Sequence, residues 1–218
     1  MKEIYRVAID GPSGAGKSSI AKLVAKEFGI DYIDTGAMYR AVGLKMVRNG
    51  IPMVEDDTLK KMLSETDVDF SDGHVFLDGE DVSGLIRTEE ISKAASDCSA
   101  FASVRRKLVE LQQAMAERKS VIMDGRDICT VVLKNAEIKL FMTASQEERA
   151  KRRFKELVEK GQDVSFEKVL EDIEKRDYND SHRDVDPLRQ AEDAELLDTT
   201  DMNVEDVVKA IGDRIRSL

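Results

Sequence analysis

The residues with the clearest chemistry are Gly11-Pro12-Ser13-Gly14-Ala15-Gly16-Lys17-Ser18, which satisfy G-x-x-x-x-G-K-[ST] at every specified position, with Ser19 following. Glycines let backbone N–H groups turn inward around phosphate oxygens, and a helix starting there presents its positive end to the same anion. Lys17 can reach the β- and γ-phosphates, and the Ser18 hydroxyl can ligate Mg²⁺. The motif has its required context, because a strand-like run, Ile4 to Ile9, precedes it and an amphipathic helix follows. An ATP- or GTP-binding loop is expected. The reaction it serves is not fixed by the loop. A guanine-reading Asn-Lys-x-Asp is absent, and Asp-x-x-Gly occurs only as Asp81-Val82-Ser83-Gly84, away from any strand end of the α/β frame, which disfavours a GTPase switch.

Two further polar clusters follow short apolar runs: "DTGAMYRA" at 34–41 and "MDGRDICTVV" at 123–132. Both fall at predicted strand C-termini, the edge where an open α/β sheet binds ligands. Asp124 closes the run "VIMD" as a carboxylate able to hold Mg²⁺ directly or through water.

The elements that must position these groups alternate in type. Apolar runs at Ile4–Ile9, Ile30–Ile33, Val121–Met123, Ile138–Met142 and Glu195–Leu197 read as five buried parallel strands, with helical periodicity between them. Ile20, Leu23, Val24, Glu27 and Phe28 form a mostly apolar stripe ended by Gly29. Ser145 and Glu148 make a capping box for a helix to about Lys160, with Gly161 beyond it. Ser165 can cap a helix burying Phe166, Val169, Leu170 and Ile173; if it continues, Arg176, Asp180 and Arg183 share a face. Val204, Val207, Val208, Ile211 and Ile215 line one side of a last helix. Residues 66–87 alternate apolar and polar around Asp72-Gly73, a hairpin signal. The fold class is α/β: a five-stranded parallel sheet with helices on both faces and an inserted antiparallel ribbon.

Composition narrows the partners. The 218 residues carry a formal charge of −10, which disfavours nucleic acid, since phosphate neutralisation needs excess Lys and Arg. No long apolar run predicts a membrane span, and Cys98 and Cys129 have neither disulfide-framework nor zinc spacing, so a cytoplasmic protein with free thiols is expected. His74 and His182 offer no metal pair.

Taken in order, "GPSGAGKSS", "DTGAMYRA", "DGRDICTVV" and "KRDYNDSHR" make the chain resemble the bacterial-type cytidylate kinases, over essentially its whole length. The resemblance implies a single P-loop kinase domain over 1–218, with an acceptor-binding insertion at about 35–105 (ribbon about 66–87) and a helical lid at about 149–165. It implies ATP and Mg²⁺ as cofactors, CMP and dCMP as substrates, and a monomer. Carried across by position, Lys17, Arg40, Arg126 and Arg183 would be catalytic. Thr35, Tyr39, Arg40, Arg126 and Arg183 would surround the acceptor phosphate. Ser96, Arg105 and Asp127 would read the base, and Arg176 and Asp180 would hold the sugar. Arg149, Arg152 and Arg153 would offer lid charges to the donor phosphates. Ser18 and Asp124 would hold the metal.

These residue types suit the reaction. The acceptor is already an anionic nucleophile, so what is needed is charge neutralisation, which arginine supplies bidentately. A carboxylate such as Asp127 accepts from the cytosine N4 amine and repels the uracil O4. One departure stands out: relatives usually carry Gly after "GRDI", where this chain has Cys129, so a thiol beside the acceptor site and modest thiol-reagent sensitivity are expected if that loop is open. Thr35 replaces a Ser common in relatives and keeps the hydroxyl. Two rivals stay open at this point: another small-molecule P-loop kinase, such as a shikimate or dephospho-coenzyme A kinase, and a non-catalytic nucleotide-binding module.

Overall fold

The structure, a computed structural model, describes residues 4–71 and 73–218. One sheet has five strands, in the order β2 (Asp31–Asp34), β6 (Val121–Gly125), β1 (Arg6–Asp10), β7 (Ile138–Thr143) and β8 (Glu195–Asp198), and a second has three, in the order β3 (Val68–Ser71), β4 (His74–Leu77) and β5 (Glu80–Asp81). The described residues divide into two units, one of Tyr5–Ile30 with Ile122–Leu218 and one of Asp31–Val121 with Ile4.

In the unit that carries the phosphate loop, β1 (Arg6–Asp10) runs parallel to β7 (Ile138–Thr143), with Val7 opposite Ile138 and Asp10 opposite Phe141. β7 pairs in parallel with β8 (Glu195–Asp198). Val7, Ala8, Ile9, Leu140 and Met142 are almost fully buried, as the near-continuous apolar runs of parallel strands require. Helix α1 (Lys17–Phe28) starts after Gly16 and stops at Gly29, whose N–H reaches the Ala25 carbonyl. Its buried face is Ile20, Ala21, Val24 and Ala25, whereas Leu23, part of the expected stripe, is exposed. Ala21 and Ala25 complete this face beside Ile20 and Val24, and Leu23 falls outside the buried arc they define. Phe28 packs on Gly212 of α8 (Val204–Arg216), where an added Cβ would stand 3.2 Å from the ring. Val204, expected on the buried side of α8, is exposed at its first turn.

Helices α6 (Gln146–Glu159) and α7 (Phe166–His182) form a hairpin around Ala150, Val169 and Ile173, with Phe154 and Phe166 packed edge to face. The expected caps are present: Ser145 accepts from the Glu148 N–H and Ser165 from the Lys168 N–H. The capping box at Ser145 is only half formed, because the Ser145 N–H donates to the Thr200 hydroxyl and the Glu148 carboxylate pairs with Arg152. The stretch expected as a lid, about 149–165, covers all but the first residues of α6 and the turn into α7.

In the unit of residues 31–121, α2 (Thr35–Arg48) follows β2 (Asp31–Asp34) and packs on α4 (Glu89–Cys98). Gly43 permits that contact, since a Cβ there would lie 3.0 Å from the Ala95 nitrogen. The inserted ribbon is three-stranded rather than two-stranded: β3 (Val68–Ser71), β4 (His74–Leu77) and a short β5 (Glu80–Asp81). Asp72, half of the Asp-Gly hairpin signal, lies outside the described residues. Val68, Phe70, Val75 and Leu77 fill the buried face, and Arg48 on α2 clamps Glu80 through two hydrogen bonds of 2.7 and 3.1 Å. Helices α3 (Asp57–Ser64) and α5 (Ala102–Ala116) complete this unit. Phe101 cannot cap α5, so Glu55 does, accepting from the Ala102 and Ser103 N–H groups.

Candidate active site

The phosphate loop is set by its neighbours as much as by its own glycines. Gly11 has φ +151°, and a Cβ there would fall 1.9 Å from the Met142 carbonyl oxygen of β7, so no other residue fits. Gly14, at φ +75°, lies against the Arg149 backbone, 3.2 Å from where a Cβ would stand. Ala15 is buried and Ser19 exposed on the first turn of α1. Lys17 is buried, and its Nζ donates to the Pro12 carbonyl at 2.8 Å, drawing the ammonium across the loop. Burial, with the charge of Arg126 added, holds that ammonium well below the usual lysine range, while Asp124, Asp10 and Asp180 oppose the effect.

Ser18 Oγ donates to Asp124 Oδ2 at 2.8 Å, which joins the first turn of α1 to the end of β6 (Val121–Gly125). A hydroxyl and a buried carboxylate at this separation make an oxygen-only donor pair, the set a hard divalent cation takes when substrate oxygens supply the rest. These residues fit Mg²⁺.

Past β6 the chain carries Arg126 and Asp127 into a single π-helical turn, Ile128–Val132. Arg126 Nε pairs with Asp180 Oδ2 at 2.5 Å, and Arg183 Nη2 lies 3.7 Å from Asp127 Oδ1. Burial alone would raise the Asp180 carboxyl, but Arg126, then Arg176 and Arg183, hold it below the usual carboxylate range. Arg176 and Asp180 share a face of α7 as expected. The helix ends at His182, however, and Arg183 turns away with ψ 146°. It is brought back by hydrogen bonds from its Nε and Nη2 to the Asp186 carbonyl, and Asp186 sits in the left-handed region at φ +47°.

The three arginines of α6 differ. Arg149 is buried, with each of its three side-chain nitrogens engaged: Nε donates to the Ala144 carbonyl, Nη1 to the Ser13 carbonyl at 2.8 Å, and Nη2 to Asp177 Oδ2 at 2.7 Å. Arg152 binds Glu148 and the Thr199 carbonyl, and Arg153 is an exposed partner of Glu156. The structure therefore ties Arg149 to the wall of the phosphate loop. Asp177 escaped sequence reading because a lone Asp in a charged helix carries no signal. Asp10 escaped it too: buried at the end of β1, it accepts from the Ile128 and Cys129 N–H groups, both at 2.8 Å. A carboxylate closing an otherwise apolar strand was the available clue.

Cys129 corrects an expectation. Its thiol is buried against the Ala8 and Leu140 carbonyls of β1 and β7, and burial pushes its pKa far up. The loop is closed at this residue, which removes the ground for thiol-reagent sensitivity.

Within residues 31–121, Asp34 caps α2 by accepting from the Ala37 N–H at 2.9 Å, and Thr35 is buried at the first helical position. Arg40 lies one turn on, with Nη2 3.7 Å from where a Gly36 Cβ would stand and Nη1 buried without a hydrogen-bond partner. Arg105 on α5 is buried, donates to the Ser99 carbonyl at 3.2 Å, and places its guanidinium 5.8 Å from the centre of the Tyr39 ring. Ser96 is half-buried on α4, where its carbonyl accepts from Ser99 Oγ. Tyr39, Ser99 and Arg105 are thus brought together.

A parallel α/β sheet with a Walker-type loop, a lysine and an Mg²⁺-competent Ser–Asp pair defines a P-loop phosphotransferase scaffold. The Cytidylate kinase family profile matches residues 7–217. Cytidylate kinase of Caldicellulosiruptor bescii is 53% identical over 215 residues, covering 97% of this chain and 95% of that protein. Cytidylate kinase of Clostridium perfringens strain SM101 is 52% identical over 212 residues, covering 97% and 98%. The chain belongs to the cytidylate kinase family. Among solved structures, an uncharacterized protein from Eubacterium ventriosum shares the fold, with a TM-score of 0.56 at 14% identity over 99% of this chain and all of that one.

Proposed function

We propose that this chain transfers the γ-phosphoryl group of ATP to CMP and dCMP, giving ADP and the nucleoside diphosphate. The observation that carries the reading beyond the family is the charge arrangement at the loop. Buried Lys17 and half-buried Arg126 lie within one another's field, beside Asp124 and Asp180. Two cations held this way are costly alone and suit a position where phosphate charge gathers.

In this reading the loop amides from Gly11 to Ser18 and Lys17 hold the donor phosphates. Ser18 and Asp124 hold Mg²⁺, which when bound would neutralise charge on the donor oxygens. Arg126 and Arg183 orient the acceptor phosphate for in-line attack, which needs no general base. Asp127 accepts from the cytosine amine, with Arg183 fixing its carboxylate, and Arg176 and Asp180 take the sugar hydroxyls. From residues 31–121, Thr35, Tyr39 and Arg40 are assigned to the acceptor phosphate and Ser96 and Arg105 to the base, on the strength of the family motifs. Arg152 and Arg153 are the lid cations, and Arg149 is given the loop-clamping role. Among the described residues no helix is long and apolar enough to cross a membrane, and a cytoplasmic site of action is part of the proposal.

The test is ADP formation from Mg-ATP with CMP, dCMP, UMP, AMP, GMP, shikimate and dephospho-coenzyme A. Turnover confined mainly to CMP and dCMP, and much reduced in Asp127→Ala, is expected. Turnover with another acceptor, or none, would overturn the substrate assignment while leaving the loop's ATP site intact.

A further inference from the structure

Asp10 is a buried carboxylate that the reaction as described does not use. It ends β1, and the next residue opens the phosphate loop. Its two oxygens divide between two amides: Oδ1 accepts from Ile128 and Oδ2 from Cys129. Those amides begin the π-helical turn, where no preceding carbonyl of a regular helix can receive them. Asp127, the residue before the turn, does not cap it with its own side chain. Its backbone, at φ −145° and ψ 24°, instead turns the chain into the clamped amides. Burial, with the charge of Asp127 added, raises the Asp10 carboxyl to about 6, against the opposing effect of the two amides. A costly buried group is therefore kept where an apolar residue would pack, and what it supplies is a bidentate hold on one backbone turn.

We propose that Asp10 is the positioning residue for acceptor recognition: by clamping the Ile128 and Cys129 amides it fixes the backbone that aims Arg126 and Asp127. The inference rests on the reading of Arg126 and Asp127 as acceptor-binding groups. An amide side chain cannot replace the carboxylate, since its NH₂ would face one of the two N–H groups.

The decisive variant is Asp10→Asn in the full chain, beside Asp127→Ala. Asp10→Asn is expected to raise KM for CMP about 10- to 100-fold, the scale of a small misplacement of a binding group. Its preference for CMP over UMP should narrow, with the affinity for an ATP analogue close to that of the parent. An unchanged KM for CMP, or equal weakening of CMP and ATP, would overturn the proposal. If Asp127→Ala leaves KM and the base preference untouched, the acceptor reading falls and this inference with it. Should Asp10→Asn fail to fold, amide resonances of the unliganded parent protein decide. The groups facing Asp10 are Asp127, Lys17 and the Cys129 thiol. As pH falls through about 6 and Asp10 takes up a proton, the Ile128 and Cys129 amides should shift, and the Arg126 and Asp127 amides should shift with the same midpoint. Movement of the first pair with the second pair still would overturn the proposal.

Discussion

Ser18 and Asp124, separated by 106 positions in sequence, share a hydrogen bond of 2.8 Å from hydroxyl to carboxylate. The bond sets the spacing of the two oxygens. Ser18→Ala and Asp124→Asn should each lower kcat about 100-fold, the scale of losing one preorganised electrostatic contact. Binding of ATP without Mg²⁺ should hold, and the Mg²⁺ concentration for half-maximal rate should rise in both variants. Titrating Mg²⁺ in steady-state assays checks this; a rate loss with an unchanged Mg²⁺ requirement would show that the pair serves the fold only.

Arg149 separates scaffold from ligand. It is buried against Asp177, with the Ser13 and Ala144 carbonyls as further acceptors. Removing the partner leaves a buried guanidinium uncompensated, so Asp177→Ala should cost about 3 kcal/mol of folding stability. Arg149→Lys, which cannot reach three acceptors at once, should also lower Tm. Chemical denaturation and calorimetry read both. A variant at Arg149 with unaltered stability and a raised KM for ATP would return it to the donor phosphates.

Both thiols should be silent in the native protein. Cys98 is buried with its pKa pushed up to about 12, and Cys129 is sealed between β1 and β7. The thiolate is the reactive form, so burial and a raised pKa act in the same direction. A disulfide-exchange reagent at neutral pH should find no fast-reacting thiol, full activity should persist, and two thiols should appear in denaturant. Rapid native labelling of Cys129 with loss of turnover would contradict the packing described.

The five strands of the larger sheet, the loop, both ends of α1 and α6 and the start of α7 could be read from sequence because their causes are local. Gly29 ends α1, Ser145 and Ser165 start α6 and α7, and apolar runs mark β1, β6 and β7. What escaped reading depended on partners distant in sequence. Leu23 looks equivalent to Val24 until the face that meets the neighbouring elements is known. Cys129 could be seen to replace a smaller residue, but not that the Ala8 and Leu140 carbonyls would receive its thiol. Asp10, Asp177 and Glu55 each satisfy donors across a fold-dependent gap, and a single acidic residue in a chain this rich in charge announces nothing.

Gly11 approaches the Met142 carbonyl with no space for even a methyl group. The mouth of the phosphate loop is therefore dimensioned by the interval between two strands, like a doorway framed by masonry. An engineer wishing to enlarge it for a bulkier polyphosphate analogue could not do so by editing residue 11. Redesign would have to respace β1 and β7, or leave the doorway alone.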